Sequence, residues 1–242
     1  MSEDIRTQPT RNFILDALAG EEYERLAPDL EPVTLRAGQV LYDPDEPITH
    51  VYFLRRGTVS VISVFEDGGG VEVSMVGNEG MFGINVVLGS VSTPLRAVVQ
   101  IEGEGLRMRA DTARREFGRG GQFHDLLLRY TQAFIIQIAQ NAACNSAHPV
   151  EGRLAKWLLA CQDRAHSDEL SLTHEFISEM LGVRRAGITE AAGRLQDAGV
   201  IRYRRGRILI LDRRGLEASS CVCHAIVKKE FDRLLLAEGR GA

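Results

Sequence analysis

The sequence is poor in the residues that would mark a secreted, membrane-spanning or cofactor-loaded protein. Its 242 residues include four cysteines, six histidines and one tryptophan. The cysteines stand at 144, 161, 221 and 223, all in the second half. They are too few and too scattered for a secreted disulfide scaffold. Cys221, Cys223 and His224 lie close together and hint at metal or redox chemistry. A structural zinc takes four ligands, however, and no second Cys or His pair at suitable spacing is evident. The expectation is therefore no metal and no cofactor, with these thiols buried or incidental. No apolar run approaches the roughly 20 residues that span a bilayer. The longest candidate, 133–139, is short and contains Gln137. Residues 1–4 are acidic and polar without a signal-peptide pattern, so a soluble cytoplasmic protein with no membrane partner is expected. Positive charge is not in excess: 29 Lys and Arg against 33 Asp and Glu leave −4. Within the strand-rich region His50 is the only histidine, which excludes a cupin-type metalloenzyme. No catalytic residue is assigned, and the chain is read as a non-enzyme.

What is present is globular. Hydrophobic residues make up 44% and charged residues 26%, enough for a packed core. Residues 1–31 read as a short helical lead-in, with Phe13, Ile14, Ala17 and Leu18 on one stripe. From 32 to 110 short β-like runs at 39–42, 50–54, 58–65, 71–76, 95–101 and 105–109 alternate with glycine and proline turns such as 67–70. Strands at this spacing predict a roll or jelly roll. Helical texture returns near 111, and 123–147 is long and strongly apolar. In it Leu127, Phe134 and Asn141 form one seven-residue row and Leu128, Ile135 and Ala142 a second. A helix apolar on more than one side needs more than one cover, so a partner helix is expected. The dimerisation face is assigned to Phe123, Leu127, Tyr130, Phe134, Ile138 and Asn141. Pro149 makes 147–151 a hinge, and 153–165 opens a further helical domain in which Trp157 is expected to be core. The predicted fold class is α+β: a β-roll sensor domain with N-terminal helices over 1–120, a dimerisation helix over 121–148, and a winged helix-turn-helix over 149–242.

Residues 171–211 carry the sharpest signal. Thr173 is a predicted N-cap. Phe176, Ile177, Met180 and Leu181 make one apolar stripe, and Gly182 sits where the chain must turn. A second helix over 184–198 turns Ile188, Ala191, Ala192 and Leu195 inward. Arg184, Arg185, Thr189, Glu190 and Arg194 are left outward. An arginine fork can pair with guanine O6 and N7, and Glu190 could accept from a cytosine amino group. Strands at 200–203 and 207–211 then flank Arg204, Arg205 and Gly206, a hairpin whose basic tip can follow phosphates. From 184 to 214 nine arginines against Glu190, Asp197 and Asp212 leave +6 in a chain that is −4 overall. A local patch of this kind is what counterion release from DNA requires.

This order of parts resembles the Crp/Fnr family of bacterial transcription regulators, most specifically in THEFISEMLGVRRAGITEAAGRLQDAGVI and also in ITHVYFLRRGTVSV and GNEGMFG. The resemblance implies a homodimer joined along the long helix, a palindromic operator in double-stranded DNA, and RNA polymerase as a partner. Arg185 then matches the guanine-reading arginine. Ala186 stands where many members carry a base-reading glutamate, and Thr173 and His174 match positions near the phosphates. Arg205 and Arg207 of the wing complete the expected DNA-binding set. An effector pocket would involve Gly80, Phe82, Gly83, Asn85, Thr93 and Arg96. Cyclic-nucleotide members use a glycine-glutamate segment and an Arg-Ser pair, whereas this chain has Gly83-Ile84-Asn85 and Thr93-Pro94. Control by cyclic AMP is therefore not expected. The alternative is a cyclic-nucleotide response through a divergent phosphate-binding segment, with Arg96 as the substitute cation. An iron–sulfur sensor of the oxygen-sensing type is excluded, since the N-terminal half has no cysteine.

Overall fold

A computed structural model of the chain describes residues 10–66 and 68–235. The acidic start at 1–4 and the turn position Asp67 lie outside the described residues. Two short helices, α1 (Phe13–Asp16) and α2 (Gly20–Leu26), lead in. Five strands follow: β1 (Glu31–Leu35), β2 (Val40–Tyr42), β3 (His50–Val64), β4 (Gly70–Val76) and β5 (Leu95–Arg109). All pair antiparallel, in the order β1-β5-β3-β4 with β2 also on β5. Two pairs of expected strands are each one long strand. The break expected between 54 and 58 is a bulge in the β3–β5 register around Gly57 (φ 92). β1 is a strand that the sequence pattern does not announce. It pairs only with β5, and such an edge position tolerates Pro32.

The helix α3 (Ala110–Gly118) leads to α4 (Gly121–Ala147). Glu22 caps α4 from outside, accepting from the backbone N–H groups of Gln122 at 2.8 Å and Phe123 at 2.9 Å. The expected hinge contracts to His148 and Pro149, after which α5 (Val150–Ala165) begins. The strand β6 (Glu169–Leu170), helices α6 (His174–Leu181) and α7 (Arg185–Asp197), and strands β7 (Ile201–Arg204) and β8 (Arg207–Ile210) complete the winged helix-turn-helix. The wing sheet runs β6-β8-β7. Two more helices follow, α8 (Arg213–Ser219) and α9 (Cys223–Leu235).

The last helix does not stay with the domain to which the sequence assigned it. Phe231, Leu234 and Leu235 of α9 join the β-roll core together with Phe123, Leu126, Leu127 and Tyr130 of α4. Tyr130 packs on Phe231 with ring centroids 6.2 Å apart. A second core holds Trp157, Leu158, Ile177, Ile188, Leu195 and Ile208 of the DNA-binding domain, and it also takes in Ile62 and Met75 from the β-roll. The two lobes are thus packed against each other. Among the described residues no helix is long and apolar enough to cross a membrane.

Candidate nucleic-acid interface

Local rules build the helix-turn-helix as the sequence suggests. Thr173 caps α6, its hydroxyl accepting from Phe176 N–H at 3.1 Å. Gly182 (φ 60) makes the turn, and a Cβ there would lie 2.9 Å from Val71 of β4. The corner of the motif therefore rests on the β-roll. Ile188, Ala191, Ala192 and Leu195 are buried against α6 and α5. Arg184, Arg185, Ala186, Thr189, Glu190 and Arg194 face solvent. The N-cap position of α7 is Arg184, which supplies no side-chain cap; Gly187 N–H donates to the Arg184 carbonyl at 2.9 Å, and the N–H groups of Arg185 and Ala186 open the helix without one. The wing turns through Arg205 (φ 51) and Gly206 (φ 76), two positive angles in succession, the geometry of a tight two-residue hairpin.

The outward residues are not equivalent. The Arg185 side chain is 68% exposed and pairs with Glu175 at 3.4 Å. An exposed pair of this kind is worth about 0–1 kcal/mol, so its guanidinium is readily given up to a base. Arg194 is held between Glu151 and Glu190, the latter at 2.6 Å, and is already neutralised within the chain. His174 Nδ1 lies 3.1 Å from Thr189 Oγ1, and its ring stacks on Tyr203 at 3.9 Å. Burial and then the charge of Arg185 hold the His174 pKa below the usual histidine value. The Thr189 hydroxyl also donates to the Arg185 carbonyl at 3.1 Å. His174 and Thr189 thus brace α6, α7 and the wing against one another. Arg207 pairs with Glu169 at 2.9 Å, while Arg205 stands exposed at the wing tip. Arg202, Arg204 and Arg214 are exposed on the same lobe; they fall on strands and a short helix, where the helical pattern of α7 gives no sign of them.

The assigned dimerisation face needs correction. Phe123, Leu127 and Tyr130 are fully buried within their own chain, and Phe134 packs on the same core. Ile138 is half-buried. Asn141 donates to the Val73 carbonyl at 3.0 Å and accepts from Lys156 at 2.7 Å. The β-roll and α9 supply this cover. The open row is the second one: Leu128 is 45% and Ile135 59% exposed, and Gln132, Ala139, Ala142 and Ser146 are exposed along the same stripe.

The expected effector residues are also placed differently from a ligand cradle. A Cβ on Gly80 would fall 2.0 Å from the Tyr130 ring, so glycine here lets α4 close onto the roll. Phe82 stacks on Tyr42 at 5.3 Å. Gly83 (φ 91) precedes a single 3-10 turn that includes Asn85. Thr93 is buried, and Arg96 is tied to Asp43 at 2.5 Å. The segment around Glu79 is a docking loop: Glu79 holds the buried Arg164 of α5 at 2.6 Å. A cavity of about 310 Å3 lies instead between the lobes, with Glu72, Gln137, Trp157, Arg164 and Phe231 in its wall, and none of the six expected residues lines it.

A β-roll joined through one long helix to an exposed, arginine-bearing winged helix-turn-helix defines a DNA-binding regulator. The sequence matches the cyclic nucleotide-binding domain over 32–119 and the Crp-like helix-turn-helix domain over 152–219. The chain belongs to the Crp/Fnr family of transcription regulators, and it is a regulator rather than an enzyme. It is similar to the global nitrogen regulator of Nostoc sp., 24% identical over 187 residues, which cover 73% of this chain and 83% of that protein. It is also similar to the CRP-like cAMP-activated global transcriptional regulator of Mycobacterium tuberculosis, 25% identical over 194 residues, 77% of this chain and 87% of the relative. The FixK2 structure from Bradyrhizobium japonicum superposes with a TM-score of 0.67 at 19% identity, covering 79% of this chain and 98% of that one.

Proposed function

We propose that the chain acts as a homodimer that reads a palindromic operator with two copies of α7, and that cyclic AMP does not control it. The observation that carries the reading is the open stripe on α4. Positions 128, 132, 135, 139, 142 and 146 are spaced alternately by four and three residues and are all exposed. That is a coiled-coil seam lacking its second strand, and two small residues, Ala139 and Ala142, allow close approach. A twofold axis along this seam would set two recognition helices on one face, able to enter major grooves about 34–36 Å apart. Arg185 is the proposed guanine reader, Arg184 and Arg205 the phosphate contacts, and RNA polymerase the downstream partner. Against a cyclic nucleotide stand the Arg96–Asp43 pair, which occupies the substitute cation, and the packed environments of Gly80 and Thr93.

Genome-wide mapping of bound sites should return an inverted repeat with half-sites one helical turn apart. On an operator so defined, Arg185→Ala should cost about 1–3 kcal/mol and relax preference at one base pair per half-site. Binding of the variant indistinguishable from the parent would remove α7 as the reader. Calorimetric titration with cyclic AMP and cyclic GMP should give no heat; saturable heat coupled to DNA affinity would establish the divergent-pocket alternative.

A further inference from the structure

The fold assembles a constellation that the sequence scatters. Cys144 and His148 lie one turn apart at the C-terminal end of α4, Cys221 stands in the link between α8 and α9, and Cys223 opens α9. The three sulfurs and one imidazole nitrogen all lie within 4.8 Å of one another. Cys144 Sγ is 3.4 Å from Cys221 Sγ, and Cys223 Sγ is 3.4 Å from His148 Nδ1. Sequence spacing groups Cys221 and Cys223 with His224 and offers no second pair. The fold corrects that grouping: His224 turns to Asp163 at 3.0 Å, and the missing ligands come from α4, more than 70 positions upstream.

We infer that Cys144, His148, Cys221 and Cys223 bind a single divalent thiophilic cation, zinc, as a closed Cys3His centre that clamps the α4–α5 hinge to the α8–α9 link. The dimensions fit one ion. With Zn–S near 2.3 Å and Zn–N near 2.0 Å, tetrahedral donors stand about 3.5–3.8 Å apart, close to the two 3.4 Å separations and inside the 4.8 Å that bounds all four donors. An iron–sulfur cluster interposes several irons and sulfides and needs its cysteines further apart. Burial raises the Cys144 and Cys221 pKa, and the polar and cationic groups around the cluster oppose that. Gln140 Nε2 donates to Cys223 Sγ at 3.1 Å. The guanidinium of Arg153 interacts electrostatically with Cys144 and Cys221, and its Nε is buried without a hydrogen-bond partner. Lys156 adds a second cation near Cys144. Three thiolates and one divalent ion leave a net −1, which Arg153 offsets, and outer donors of this kind orient and tune a metal centre. Binding transfers no electrons; the thiol protons leave to solvent as the sulfurs take the metal. Four protein ligands leave no open position, so the role is structural. The ligand set ends α4, includes the first hinge residue and secures the start of α9, so an occupied site fixes where the DNA-binding lobe leaves the long helix.

The full-length protein, purified with a reductant present, should carry one zinc per chain by elemental analysis. The metal-free protein titrated with Co2+ should develop sulfur-to-cobalt charge-transfer and tetrahedral d–d absorption. These bands should saturate at one equivalent and vanish on adding zinc. Cys223→Ser and His148→Ala should each weaken binding by about tenfold or more. Cys161→Ala, the cysteine outside the cluster, should retain the spectrum. The native chain carries the primary readout, so a variant that fails to fold leaves the result decidable. The assignment is overturned by wild type that holds no stoichiometric metal and shows no tetrahedral cobalt bands. It is equally overturned by iron with acid-labile sulfide, by a Cys144–Cys221 disulfide that persists under reductant, or by a cobalt spectrum unchanged in folded Cys223→Ser and His148→Ala.

Discussion

Glu72 shows how one side chain can make the contact between the lobes pH-dependent. It is buried on β4 and accepts from Trp157 Nε1 of α5 at 2.9 Å. Ser60 Oγ lies 2.6 Å from Glu72 and 2.7 Å from Gln100 Oε1. One hydroxyl proton serves only one of these acceptors, so a protonated Glu72 completes the chain. Burial pushes its pKa up from 4.5 to about 7 despite the bonds from Ser60 and Trp157. Between these two values the folded state holds a proton that the unfolded state has lost. Stability from this group is therefore greatest below about 4.5 and falls as pH rises to about 7, where the penalty is complete. Glu72→Gln mimics the protonated acid, its amide donating to Ser60 while its carbonyl accepts from Trp157. Urea unfolding should show little change near pH ~4.5 and a gain of up to about 3 kcal/mol near pH ~8. A variant as pH-dependent as the parent would show that Glu72 does not titrate in this range. Trp157 was legible in the sequence as a core residue. Its partner was not, because the residue it bonds lies 85 positions away on another lobe.

At the scale of elements, local rules were readable and long-range cover was not. The N-cap Thr173, the turn at Gly182 and the inward face of α7 depend on neighbours within a few positions, and each is found where the sequence places it. β1 escaped because Glu31 and Pro32 dilute its strand pattern, and it becomes a strand only by pairing with β5. The long helix was harder. Both of its seven-residue rows are mostly apolar, and periodicity does not say which one the chain covers itself. The C-terminal α9 decides this by crossing back to bury Tyr130. The cysteine cluster was hidden for the same reason, since α9 brings Cys223 to the end of α4. If the remaining row is the dimer seam, Ile135→Asp should place two like charges across a twofold axis in an apolar contact. Sedimentation should then show a monomer, with the helical circular dichroism intact because Ile135 touches solvent rather than core. Phe134→Ala, by contrast, should destabilise the chain without dissociating it, since Phe134 packs on Tyr130. Dissociation by the second change and not the first would return the seam to the row first assigned.

Over the whole molecule, the two lobes pack together with polar groups buried between them. Arg164 of α5 and Glu79 of the β-roll form an ion pair in which each side chain is about nine-tenths buried, at 2.6 Å. Arg164 also donates to the Ala160 carbonyl at 3.1 Å. Removing one partner leaves the other charge buried and alone, which costs about 3–5 kcal/mol, whereas replacing both with apolar groups of similar volume is often neutral. Glu79→Ala should therefore loosen the lobes far more than Glu79→Leu combined with Arg164→Met. The only tryptophan sits at this junction and reports the change directly. In Glu79→Ala, Trp157 fluorescence should shift at lower urea than the far-ultraviolet circular dichroism signal, separating lobe opening from global unfolding. In the double variant the two transitions should coincide again. On the proposed reading, the opened variant should keep affinity for DNA of any sequence, because the exposed arginines proposed to meet phosphate, Arg184 and Arg205, lie on the DNA-binding lobe and not on the roll. If the chain works as the proposed homodimer, this variant should also lose preference for a two-half-site operator, because that preference would depend on both recognition helices being held at fixed separation. Coincident transitions in Glu79→Ala, or operator preference equal to the parent's, would show that the buried pair does not hold the lobes in the DNA-competent arrangement.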